Sequence, residues 1–120
     1  YKTMVYRLAE HHNVVSDFGK IPDSILKKAP SAELREGQKD TDELPPYDVL
    51  DKILFSYVED GKSVSELLKM GFVKENVEKV VRLVDTSEFK RYQAPFCFRI
   101  SEKAFGSGRR MPITSGFKSS

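Results

Sequence analysis

Four small sets of residues in this 120-residue chain have the types and spacing for chemistry. Lys90 and Arg91 follow Glu88 at what reads as the head of a capped helix. Two cations beside a helix N-terminus favour phosphate or carboxylate, so the pair is a candidate anion site, with a solvated basic edge as the plainer alternative. Arg109 and Arg110, in a Gly and Ser setting, divide between the same two readings. The acids Glu33, Glu36, Asp40, Asp42 and Glu43 share one polar stretch. Mg²⁺ needs a carboxylate or two alongside phosphate oxygens and water; a flexible acidic loop is the blander account. His11 and His12 are adjacent, which turns them in different directions on a helix, whereas a metal pair needs roughly i, i+4 spacing. Cys97, the single cysteine, has no disulfide or metal partner, and between Phe96 and Phe98 it reads as a small buried hydrophobe rather than a nucleophile.

Charge narrows the setting. Twenty basic residues against eighteen acidic leave a net +2, too little to make polyanion binding the default. The distribution is uneven: from Lys90 onward come Lys90, Arg91, Arg99, Lys103, Arg109, Arg110 and Lys118 against Glu102 alone, so 94–120 is an irregular basic tail. A hydrophobic content of 39% supplies one modest core, hence one domain or a piece of one. No apolar run approaches the ~20 residues that span a bilayer, and no signal peptide is visible. With a lone cysteine, this points to a cytoplasmic protein without a membrane partner.

The elements that must position these residues read as helices. Tyr1, Met4, Val5, Leu8, Ala9 and His12 lie on one helical stripe from the first residue. A chain that starts inside an element without Met is expected to be a fragment of a longer polypeptide. Asn13, Gly19 and Pro22 punctuate the next stretch, with Val14 and Val15 as a short strand or a packed connector. Pro22 suits the first turn of a helix running to Ala29. Residues 29–46 are polar and without hydrophobic period, far longer than the ~4–6 residues that join most elements. Pro46 then opens a helix with Tyr47, Leu50, Ile53, Leu54, Tyr57 and Val58 on one face, stopped near Gly61. Ser63 and Glu66 form a capping box for a two-turn helix ending at Gly71. Residues 75–85 bury Val77, Val80, Val81 and Val84, and the segment from Asp85 to Glu88 reads as a fresh N-cap for a last helix through Tyr92. The expected fold is mainly α. The helix pair from Ser63 to Asp85 has helix-turn-helix spacing, but Glu75 and Glu78 on the second helix would repel phosphates, which favours plain hairpin packing over DNA reading.

Several stretches together closely resemble one family. "KAPSAELREGQKDTDELPPYDVLDKIL", "VVRLVDTSEFKRYQAP" and "AFGSGRRMPIT", with the opening "KTMVYRLA", are similar in order and spacing to the C-terminal part of bacterial NAD⁺ synthases, particularly the larger glutamine-dependent form. The resemblance implies a parent domain of α/β class, an adenine-nucleotide α-hydrolase-like fold of the ATP-pyrophosphatase group. It implies a ligase using ATP, Mg²⁺ and deamido-NAD, with ammonia from glutamine, that forms an adenylate and typically acts as a dimer. Residue by residue, Lys2 and Ser31 match ATP-binding positions and Lys90 matches a deamido-NAD contact. No metal ligand and no nucleic-acid partner is carried over. On this resemblance residues 29–46 are a mobile loop that covers the substrate. The family's "SGGxDS" phosphate loop, its strand-borne Mg²⁺ acid and the glutamine-hydrolysing domain are absent from these 120 residues, so the chain alone is expected to be inactive. Without the parent's parallel sheet, the apolar faces of the first helix and of the Tyr47 to Val58 helix are expected to lie open. The rival expectation is a non-catalytic helical binding module.

Overall fold

The computed structural model describes residues 1–32, 34–95, 97–103, 108–114 and 116. Glu33, Phe96, Lys118 and residues 104–107 of the "AFGSGRR" stretch therefore lie outside the described residues. Every element among the described residues is helical, as the hydrophobic periodicity requires. The chain divides into two compact units, Tyr1–Asp51 and Lys52–Ser120.

The first unit opens with α1, Lys2–Val15, which buries none of its residues: Met4, Val5 and Leu8 of its apolar stripe are 40%, 56% and 58% exposed. This helix runs through Asn13 and includes Val14 and Val15, which corrects the expectation of a strand or connector there. The reason is the use of the Asn13 amide. Its Nδ2 donates to the Ile21 carbonyl at 2.9 Å and its Oδ1 accepts from the Ile21 amide at 2.8 Å. A side chain spent on the returning strand of chain does not compete with its own helix backbone, so Asn13 stops nothing. Helix α2, Asp23–Leu26, is a single turn after Pro22 and ends short of Ala29. The polar stretch beyond it contains a 3-10 turn at Asp40–Asp42, where the Lys39 amide donates to the Asp42 carboxylate at 2.9 Å.

Helix α3, Tyr47–Val58, follows Pro46, whose carbonyl takes the amides of Val49 and Leu50 at 3.0 and 2.9 Å. In the second unit the core gathers Ile53 and Val58 of α3, Leu67 of α4 (Val64–Lys69) and Val77, Val80, Val81 and Val84 of α5 (Lys74–Thr86). The apolar face of α3, expected to lie open, is thus buried; Phe55, outside that face, is 47% exposed. Gly61 and Gly71 end α3 and α4 with φ of +70° and +89°, a left-handed conformation that costs glycine no Cβ clash. The capping box forms as the spacing predicts: Ser63 Oγ accepts from the Glu66 amide and the Glu66 carboxylate accepts from the Ser63 amide. The Ser63 hydroxyl, which donates to the Glu66 carboxylate at 2.7 Å, and then the Ser63 amide hold the Glu66 carboxyl below its ordinary value. Four buried valines supply by packing what β-branched residues lack in helix propensity, which is why α5 is stable at full length.

The junction after α5 differs from expectation. Asp85 is no N-cap but lies within α5, and α6 spans Glu88–Tyr92 without a side-chain cap. Asp85 is taken up by other partners: its carboxylate accepts from the Tyr57 hydroxyl at 3.0 Å and from Arg109 at 3.2 Å, with the guanidinium 4.3 Å from the Tyr57 ring centroid. Arg91 reaches back to the Val84 carbonyl at 2.6 Å and pairs with Glu88 at 2.8 Å, satisfying an orphan carbonyl at the end of α5. Cys97 is exposed rather than buried, in a segment where Phe98 is 97% exposed and no helix turns the side chains inward. The segment after it is fixed at Glu59, which accepts from Ser101 Oγ at 2.6 Å and from the Lys103 amide at 3.0 Å.

Candidate functional site

Of the residues singled out in the sequence, Lys2 and Ser31 come together. Both line a cleft of about 460 Å³ in the first unit, with Tyr6 and Ala9 of α1, Ile25 of α2, Lys28 and Asp40. Lys2 sits in the first turn of α1, its Nζ 5.5 Å from the Tyr6 ring centroid. Ser31 stands where the chain leaves α2 for the polar loop, directly after Pro30. Lys28, Ala29 and Ser31 also line a second hollow of about 500 Å³, formed with Arg35, Glu36, Gly37, Gln38 and Lys39. Cations outnumber acids in both: Lys2 and Lys28 against Asp40 in one, Lys28, Arg35 and Lys39 against Glu36 in the other. Such a balance, with a hydroxyl at the centre, suits a polyphosphate.

The two walls of the first cleft are held from α3. Helix α1 has no local side-chain cap; instead Asp51, 8% exposed, accepts from the Thr3 amide at 2.7 Å, next to Lys2. A carboxylate on a first-turn amide both satisfies an orphan donor and complements the positive end of the helix. The second wall is closed by the Asp40 amide, which donates to the Pro30 carbonyl at 2.9 Å. Residues 31–39 thus form a loop pinched at its neck, with Ser31 at the pinch. Tyr47, the first residue of α3, donates its hydroxyl to the Asp40 carboxylate. Burial, then this hydrogen bond and the Asp40 charge, push the Tyr47 phenol up to about 12. Tyr47 and Asp51 carried no weight in the sequence. The two stand at i, i+4 in the first turns of α3, but Asp51 has its partner 48 residues away in the chain.

Lys90 belongs to the second unit, exposed on α6 with its Nζ 5.9 Å from the Phe89 ring centroid. The suggested Lys90 and Arg91 anion pair does not form as a unit, because Arg91 is spent on Glu88 and Val84. Arg109 is likewise committed to Asp85. Among the loop acids, Asp42 is used within the loop, Glu43 lies 3.9 Å from Arg35 in an exposed pair, and Glu33 lies outside the described residues. His12 Nε2 lies 3.3 Å from the Gly19 carbonyl. No group of three or more His, Cys, Asp and Glu among the described residues could hold a metal ion. None of the described helices is long and apolar enough to cross a membrane. On α5 the exposed Glu75 and Glu78 stand where base-reading cations would be needed, with Lys74 paired to Glu78 at 3.7 Å.

The sequence profile described as NAD synthase matches residues 1–94. A glutamine-dependent NAD(+) synthetase of Acinetobacter baylyi is 49% identical over 118 residues, 98% of this chain and 22% of that protein. Its counterpart from a Synechocystis species is 50% identical over 116 residues, 97% of this chain and 20% of that protein. Among solved structures, the glutamine-dependent NAD+ synthetase of Acinetobacter baumannii in complex with ADP matches with a TM-score of 0.61 and 38% identity, over all of this chain and 20% of that one. The chain spans about a fifth of the length of these relatives.

Proposed function

Because this chain belongs to the NAD synthase family, we propose that it serves the ATP-dependent amidation of deamido-NAD to NAD⁺, with ammonia drawn from glutamine. In that reaction the nicotinate carboxylate attacks the α-phosphorus of ATP, pyrophosphate leaves, and ammonia then displaces AMP from the acyl carbon. The observation that carries the reading is the convergence of Lys2 and Ser31 on one cationic cleft. Lys2 offsets charge that builds on the phosphates as pyrophosphate departs, and Ser31 hydrogen-bonds the nucleotide beside it. The ADP held by the Acinetobacter baumannii relative supports a nucleotide as the occupant. Lys90 takes deamido-NAD, whose carboxylate and phosphates match an exposed ammonium.

Residues 29–46 act as the cover. An acyl adenylate open to water would hydrolyse before ammonia reached it, so excluding water is a chemical requirement of the reaction. Mg²⁺ would screen the triphosphate, but the described acids do not gather into a metal site, so no metal contact is assigned to this chain. The working enzyme is cytoplasmic and a homo-oligomer.

Steady-state kinetics of a complete synthetase containing this chain test the assignment. Lys2→Ala and Ser31→Ala are expected to raise KM for ATP about tenfold or more, the scale of a lost hydrogen bond to a charged group, and to leave KM for deamido-NAD nearly unchanged. Lys90→Ala is expected to do the reverse. Unchanged constants in all three variants would refute the site.

A further inference from the structure

From the first turns of α3 we infer that Tyr47 and Asp51 are positioning residues for the nucleotide cleft, an inference that rests on the function proposed above. They stand one helical turn apart, and each holds one wall. Asp51 accepts the Thr3 amide and so fixes the start of α1, the turn that carries Lys2. Tyr47 holds the Asp40 carboxylate, while the Asp40 amide closes the loop neck on the Pro30 carbonyl, the residue before Ser31. The Thr3 amide at the start of α1 is met by Asp51 and by no side-chain cap from the helix N-cap, and Pro30 has no amide to give.

The arrangement also answers an electrostatic difficulty. Asp40 lines the cleft with Lys2 and Ser31, and a bare carboxylate there would repel phosphate. The Tyr47 hydroxyl occupies the acceptor and draws part of its charge away from the cleft. Tyr47 therefore does two things for the nucleotide without touching it: it sets the place of Ser31, and it tempers Asp40. These are tasks of precision, and they weigh on binding geometry more than on global stability.

The test uses a complete synthetase containing this chain. Tyr47→Phe, which removes a single hydroxyl, is expected to raise KM for ATP about tenfold while KM for deamido-NAD stays within about twofold. Asp40→Ala should match it, whereas Asp40→Asn keeps an acceptor for the hydroxyl and is expected to restore a KM for ATP near that of the parent. Asp51→Asn and Asp51→Ala make the same contrast at the other wall; should Asp51→Ala fail to fold, Tyr47→Phe carries the test. An unchanged KM for ATP in Tyr47→Phe overturns the inference, and so does an equal rise in both KM values, which marks a general structural role. Lys2→Ala and Ser31→Ala separate the two levels: if they raise KM for ATP and Tyr47→Phe does not, the positioning role fails while the site stands.

Discussion

At the scale of single residues, the side chains with the most chemistry in the sequence are divided between a cleft and internal braces. Lys2 and Ser31 line a cleft; the cations Arg91 and Arg109 are paired with Glu88, the Val84 carbonyl and Asp85. The difference follows the residue type. Arginine has a planar fork of donors that closes a helix end and takes a carboxylate together, which suits it to bracing, whereas a lysine is a compact point charge that remains available. Tyr47 offers a titration at this scale. Its folded pKa is raised to about 12 from 10.0, so the neutral phenol is favoured by folding. A raised pKa adds stability that is fully present below pH 10.0 and is lost as pH climbs through about 12. The ultraviolet absorbance of tyrosinate is expected to show a step near that upper value which Tyr47→Phe removes, and its absence in the parent protein would mean that the burial of Tyr47 and its Asp40 contact do not both persist in solution.

At the scale of elements, local signals were read well and distant ones poorly. Ser63 and Glu66 bond to each other and Ser63 to Ser65, so four residues of sequence contain the whole cap. The four valines of α5 repeat at helical spacing, and their burial follows from that spacing. Asn13 and Asp85 misled for the opposite reason. Each is a residue that ends or begins helices when its side chain serves the local backbone, and each instead serves a group elsewhere, Ile21 in one case and Tyr57 with Arg109 in the other. The candidate site shows the same divide. Lys2, Ser31 and Lys90 enter through resemblance to a family and Tyr47 as one position on the face of its helix, while the partner of Asp51 could not be read, since Asp51 meets Thr3 across 48 residues of chain. Packing between α4 and α5 supplies a stability prediction. Leu67 is fully buried between the capping box and α5, and Leu67→Ala is expected to cost about 2–5 kcal/mol in denaturant unfolding. A cost under about 1 kcal/mol would mean that this hairpin is not part of the cooperative core.

At the scale of the whole molecule, the 120 residues hold the cleft proposed for a nucleotide without the "SGGxDS" cradle that would grip its phosphates. Purified by itself, the chain is expected to release no AMP from ATP, deamido-NAD and ammonia; steady release would show that Lys2, Ser31 and their neighbours suffice. Its first helix buries nothing, and Met4, Val5 and Leu8 form an apolar strip in water. Sedimentation of that purified chain is expected to show self-association that Leu8→Glu reduces, because such strips are costly to leave wet. The pinched neck between Pro30 and Asp40 has one more consequence. Because the pinch is fixed at its base by the Asp40 to Pro30 hydrogen bond, a change of length beyond it need not move the neck. The closure cost of that span grows only with the logarithm of length, about 0.6 kcal/mol for each doubling. The cover can therefore be lengthened, shortened or rewritten in composition as a replaceable part, while Ser31 keeps its place.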